Sequence, residues 1–193
     1  IIESVKSNSL SELILSSDSD EILNLGKKYK IILDKRDSSL ARDKSTSLSL
    51  LENLISKYKL DFENSAFVLL QPTSPLRLFS DIENSIELFK KKNADSVVSV
   101  TKIPDFLSQK KMMQVDKSLK VNKFSFEDKF QNETFIRNGP AVLVTKLTNI
   151  LNSSLYGEKS FAYIMPFNRS VDIDEEDDLL IARLFYDKYI LGL

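Results

Sequence analysis

The chain contains no cysteine and no histidine. The first absence excludes disulfides, thiolate metal sites and a cysteine nucleophile. The second removes Ser-His-Asp triads, imidazole bases and nearly every zinc site. Tryptophan is missing too, which excludes nothing by itself. Glycine is scarce: Gly26, Gly139, Gly157 and Gly192 are the only four in 193 residues, and none sits in a phosphate-cradling glycine loop. No apolar run approaches the roughly 20 residues of a membrane-spanning helix, and no signal peptide is visible, so no membrane partner and a cytoplasmic location are expected. A net charge of −1 offers no basic excess for a general grip on nucleic acid.

What is present narrows the chemistry further. With 42% hydrophobic and 28% charged residues, the chain suits one soluble globular domain. Any catalysis must run on carboxylates, Lys, Arg, amides and hydroxyls. Those groups suit phosphoryl and nucleotidyl transfer, where positioning and charge neutralisation dominate. Of 27 basic residues only Arg36, Arg42, Arg77, Arg137, Arg169 and Arg183 are arginine, leaving 21 lysines. Against that background an arginine signals a need for a planar fork on phosphate or carboxylate. For Arg77 and Arg137 a surface salt bridge accounts for the residue equally well.

Short apolar runs alternate with amphipathic stretches. Strands are predicted at residues 13–15, 31–33, 66–70, 95–100, 135–144, 162–165 and 171–173. Residues 66–70 read as a central parallel strand buried on both faces. Helices are predicted from an Asp18 cap through Tyr29, around residues 48–55, from the Ser80-Asp81-Ile82-Glu83 capping box to about Lys92, over 146–155, and from an Asp174 cap to Ile190. The alternation predicts an α/β, three-layer fold with a mainly parallel sheet. Residues 102–134 break the pattern and read as an excursion, a hairpin serving as lid or dimer contact; Phe106, Phe124 and Phe126 could equally pack on their own sheet.

The polar residues of interest follow the strands, where open α/β sheets bind ligands. In Leu69-Leu70-Gln71-Pro72-Thr73-Ser74-Pro75-Leu76-Arg77 two prolines stiffen a loop carrying an amide and two hydroxyls. That suits a preorganised polar site, or a rigid connection to the next helix. Asp172 and Asp174, at i and i+2, would project from one face of a strand. Two carboxylates about 4 Å apart repel by roughly 1–4 kcal/mol, a cost that a divalent cation reverses. Asp174 could instead cap the last helix, whose dipole the acids 175–178 complement. Asn138, before Gly139, offers an amide to a ligand or forms an ordinary Asn-Gly turn.

These segments together resemble the acylneuraminate cytidylyltransferases, the CMP-sialic acid synthetases with their pseudaminic and legionaminic acid relatives. Residues 69–77 are similar to the family's LQPTSPLR signature. Arg36-Asp37-Ser38-Ser39-Leu40-Ala41-Arg42-Asp43, Ala94-Asp95-Ser96-Val97-Val98-Ser99-Val100, Arg137-Asn138-Gly139 and Ser170-Val171-Asp172-Ile173-Asp174 resemble further family segments, in the family's order. The resemblance implies a Rossmann-like nucleotide-diphospho-sugar transferase architecture. It implies a homodimer and a Mg²⁺-dependent transfer of CMP from CTP to the anomeric hydroxyl of a sialic-acid-like nonulosonic acid, releasing pyrophosphate. By the same resemblance Asp172 and Asp174 would hold the catalytic Mg²⁺, Arg36 and Ser47 the nucleotide, and Gln71, Thr73, Asn138 and Lys110 the sugar acid. The Kdo cytidylyltransferase shares the broad fold, but the QPTSP loop is not expected there.

Two departures stand out. Pro140-Ala141-Val142-Leu143 follows the NG turn where many members carry an aromatic, which leaves room for a nonulosonic acid other than N-acetylneuraminate. The family's opening strand and triphosphate loop match nothing here, and the first residue is Ile. The chain is therefore expected to be a single domain, residues 1–193, lacking that strand and loop and inactive without them. The alternative is a catalytically incomplete relative that binds sugar or partner without turnover.

Overall fold

The computed structural model describes residues 1–40, 46–60, 65–107, 111–123 and 133–193. After a short helix α1 (Ile2–Val5), strand β1 (Ile14–Ser17) leads through α2 (Asp20–Gly26) to β2 (Ile32–Lys35), which pairs with β1 in parallel. The α2 cap is Ser19, whose hydroxyl accepts from the Ile22 amide, rather than Asp18. The helix stops at Gly26, short of Tyr29, and packs closely on the strands there. A Cβ on Gly26 would lie 2.7 Å from the side chains of both Leu15 and Leu33.

Helix α3 (Ser47–Tyr58) starts where the Thr46 hydroxyl accepts from the Ser49 amide at 3.1 Å. Its apolar stripe, Leu51, Leu54 and Ile55, packs on Leu147 and Ile150 of α5 (Leu147–Leu151). Ile14 of β1 and Phe67 of β3 (Ala66–Leu69) pack against the same cluster. Helix α4 (Phe79–Lys92) begins one residue before the expected Ser80 box: the Asp81 carboxylate accepts from the Leu78 amide. Its Ile82 and Ile86 cover Val97, Val142 and Val144 of the main sheet. Each such buried aliphatic side chain contributes about 1.5–3 kcal/mol.

The main sheet contains β3, β4 (Ser96–Lys102), β7 (Phe135–Arg137), β8 (Leu143–Lys146) and β9 (Ser160–Ile164). Only β9 pairs with β4 in parallel; β8 is antiparallel to both β3 and β4, and β7 is antiparallel to β4. The class is α/β, but the expected mainly parallel sheet is mixed. After β4 the chain makes its excursion and returns to the same end of that strand. Without a helical crossover to carry it to the other end, the returning strand must run antiparallel. Strand β3 is accordingly half-buried rather than enclosed, with its second edge unpaired among the described residues.

Strands β7 and β8 share one edge of β4. The Ser99 amide donates to Val142 and the Ile103 amide to Thr134 on that edge, while the Val100 carbonyl accepts from Met165 on the other. Val98 faces Leu143 and Val100 faces Arg137. Ser99 alone therefore stands opposite residues 138–142, and β7–β8 is one strand interrupted by a wide bulge.

Within the excursion, β5 (Met113–Val115) and β6 (Val121–Lys123) form a hairpin whose Met113, Val115, Leu119 and Val121 are exposed. Lys110, Phe124, Phe126 and residues 41–45 lie outside the described residues. Residues 171–173 form no strand, correcting the expectation for the acidic pair. The last helix, α6 (Glu176–Tyr186), is capped at Glu175 rather than Asp174. Asp178 lends its carboxylate to the Asp174 and Glu175 amides. No helix among the described residues is long and apolar enough to cross a membrane.

Candidate active site

The centre of the site is the loop that leaves β3. Pro72 and Pro75 prevent helix there, and Ser74, Leu76 and Arg77 turn inward to burial. The Gln71 carbonyl accepts from the Ser74 amide at 3.4 Å and from Arg77 Nη1 at 3.2 Å. The Gln71 side-chain amide donates to the Ser47 hydroxyl at 3.4 Å, joining the loop to the first residue of α3. A residue expected on the sugar and one expected on the nucleotide thus stand side by side.

The bulge forms the facing wall. Ser99 Oγ accepts from the Val142 amide at 2.9 Å and donates to Asn138 Oδ1 at 2.7 Å, closing the neck. Asn138 Nδ2 donates to Ser170 Oγ at 3.0 Å. Both ends of the buried Asn138 amide are therefore engaged inside the protein, holding the bulge in place. The loop ties onto this wall twice: Ser74 Oγ donates to the Asn138 carbonyl at 3.3 Å, and Arg77 Nη1 to the Ala141 carbonyl at 2.6 Å. Gly139 has φ +108°, which favours glycine, and a Cβ there would fall 2.6 Å from Ser74 Oγ and 3.4 Å from Asp172 Oδ1.

That last distance places the acidic segment beside the loop and the bulge. The Ile173 amide donates to the Thr73 carbonyl at 2.8 Å, so residues 172–174 run against the proline loop. Asp172 Oδ1 is buried and has no hydrogen-bond partner. Asp174 is exposed, and its carboxylate takes no part in the helix cap. Just upstream, Arg169 binds the fully buried Asp81 through Nη2 at 2.7 Å and Nε at 3.3 Å, and the Tyr163 hydroxyl donates to the same carboxylate. This group anchors the approach to Asp172 on the start of α4. Burial pulls the Arg77 guanidinium down to about 10, against the opposing charges of Asp81 and Glu3, so it remains cationic at neutral pH.

Arg36 is not in this cluster. Its Nη2 donates to the Ser16 carbonyl at 2.7 Å and its Nε to the Ser16 hydroxyl at 3.3 Å, at the carboxyl ends of β1 and β2. Beside it the buried Asp34 accepts from Ser16, Lys57 and Tyr58. Burial raises the Asp34 carboxyl, but these partners outweigh it and hold the group below its ordinary value. Arg137 donates to the Tyr156 hydroxyl and forms no ion pair among the described residues. Ser74 was expected as one of the loop's two hydroxyls, whereas Ser99 and Ser170 carried no expected role. The available signal was a hydroxyl inside an apolar strand, since a buried Ser99 must find partners.

No protein-family model matches the chain. It is 26% identical over 182 residues to a protein named N-acylneuraminate cytidylyltransferase from Streptococcus agalactiae serotype III, covering 91% of this chain and 43% of that one. The chain thus spans less than half the length of this curated relative. It is 28% identical over 186 residues to a CMP-N,N'-diacetyllegionaminic acid synthase from Legionella pneumophila, covering 92% of this chain and 79% of the relative. Among solved structures, a CMP:2-keto-3-deoxy-manno-octonic acid synthetase complexed with CTP superposes with a TM-score of 0.63 at 10% identity, over 97% of this chain and 85% of that one. That structural likeness establishes the fold alone. The sequence likeness to these cytidylyltransferases is spread over nine-tenths of the chain and supports that family.

Proposed function

We propose that this domain transfers CMP from CTP to the anomeric hydroxyl of a sialic-type nonulosonic acid. The observation that carries the reading is the unpartnered, buried Asp172 Oδ1, set beside Gly139 and backed by the Gln71 loop. A buried acceptor without a partner invites a ligand, and the relatives are named for this chemistry. In the reaction the hydroxyl oxygen forms a bond to the α-phosphorus of CTP. The bond to the bridging oxygen breaks and pyrophosphate leaves with the electron pair. The hydroxyl proton passes to a carboxylate or to water, there being no histidine.

Gln71 and Thr73 bind the sugar acid, with Ser47 at the junction to the nucleotide. Asn138 acts by holding the bulge. Asp172 and Asp174 fit a magnesium ion: two carboxylates two residues apart, one with an unpartnered oxygen, leave the other positions to phosphate oxygens and water. Among the described residues no group of three or more His, Cys, Asp or Glu could hold a metal ion. When bound, the magnesium ion would offset charge on the phosphates.

Two further features support the family reading. Strands β1 and β3 pack on one apolar cluster while each keeps an edge unpaired among the described residues. A further strand between them would join the two sheets, as expected of the family's opening strand with its triphosphate loop. The exposed apolar residues of the β5–β6 hairpin suit a contact with a second copy. The test is a pyrophosphate-release assay on the product of the whole coding sequence, with CTP, Mg²⁺ and each of neuraminic, legionaminic and pseudaminic acids. Release that depends on one of these acids is expected. Binding of an acid without release in any combination would favour the non-catalytic relative.

A further inference from the structure

Arg77 is nine-tenths buried, yet it forms no ion pair among the described residues. Its hydrogen bonds run to two carbonyls, those of Gln71 and Ala141, and its Nε has no partner. Burying a guanidinium without a bonded carboxylate is costly. A neutral amide could make the same two bonds more cheaply, so holding the fold together does not by itself account for the residue. The two carbonyls belong to segments far apart in sequence: Gln71 opens the proline loop, and Ala141 lies in the bulge. The Ser74 bond to the Asn138 carbonyl is a second tie between the same segments, and the missing Cβ of Gly139 lets them meet.

We propose that Arg77 is a positioning residue that locks the Gln71 loop to the 138–141 bulge and so fixes where that loop meets the sugar acid. The inference rests on the function proposed above. With both ties in place the two segments move as one unit, and Gln71 keeps a single distance from Asp172. Without Arg77 the loop and the bulge separate, and the sugar acid is held at a poorer angle while the nucleotide contacts of Ser47 remain.

The experiment compares wild type with Arg77→Ala, Arg77→Lys and Ser74→Ala. Amide hydrogen exchange without substrate is the first readout. Arg77→Ala should speed exchange in residues 71–77 and 138–142 together, and millimolar guanidinium should slow both again. Arg77→Lys should give intermediate exchange in both segments, and it carries the test if the alanine variant does not fold. Steady-state kinetics is the second readout. The KM for the sugar acid should rise about tenfold, as expected for losing charge-assisted hydrogen bonds. The KM for CTP should stay unchanged, and guanidinium should restore the first. Exchange rising in one segment only or throughout the fold, or both KM values rising together, overturns the proposal. A wild-type protein that turns over none of the acids would defeat the functional reading alone, since the exchange data decide the coupling without activity.

Discussion

Two polar clusters stand at strand ends of this molecule, and they differ in what they leave unpaired. At the ends of β1 and β2, Asp34 is matched by Ser16, Lys57 and Tyr58, and Arg36 lies along Ser16. Every donor and acceptor named there has a partner inside the protein. Where the proline loop meets the bulge, Ser74, Arg77, Ser99 and Asn138 bond across segments distant in sequence, yet Asp172 Oδ1 ends without a partner. The first cluster holds two strands and a helix in place. The second is preorganised around an acceptor that the fold itself does not use, which is the mark of a ligand site.

Asp172→Asn should break the second cluster's function most severely, lowering Mg²⁺-dependent pyrophosphate release by about a hundredfold or more. The melting temperature should barely change. Arg169→Met should cost about 3–5 kcal/mol of folding stability in urea titration, because it leaves the fully buried Asp81 without its cation. Ser99→Ala should cost about 1–3 kcal/mol by the same titration, since it orphans Asn138 Oδ1 and the Val142 amide in the core. The smallest effect belongs to the first cluster. The Asp34 carboxyl is held below its ordinary value, so its contribution to stability is present above about pH 4 and lost as pH falls through the depressed folded value. Lys57→Met should shrink that acid-side loss in a pH series of urea melts while leaving turnover unchanged at neutral pH.

Most main-sheet strands and the long helices were legible from the sequence because strands such as β3 and β4 contain short apolar runs and each long helix carries an apolar stripe. Helix α4 was placed within a residue of its start, and α3 was found from Leu48, Leu51, Leu54 and Ile55. Strand direction was not legible, since nothing in residues 135–146 states that the chain re-enters beside β4 from the same end. The bulge was hidden for a related reason. Asn138-Gly139 reads locally as a turn, and only the β4 register shows that it interrupts one strand. Several acids between 172 and 178 offer equivalent helix caps by pattern, and tertiary packing chose Glu175 and Asp178. Proximity of Thr73, Ser74, Gly139 and Asp172 follows from long-range bonds that no spacing rule contains.

The most direct test of the central claim is the kinetic signature of Gln71→Ala in the product of the whole coding sequence. If the proline loop is the sugar-acid wall of one cleft with Asp172, the KM for the acid rises about tenfold while that for CTP stays within about twofold. A rise confined to CTP, or no change in either, would contradict the account.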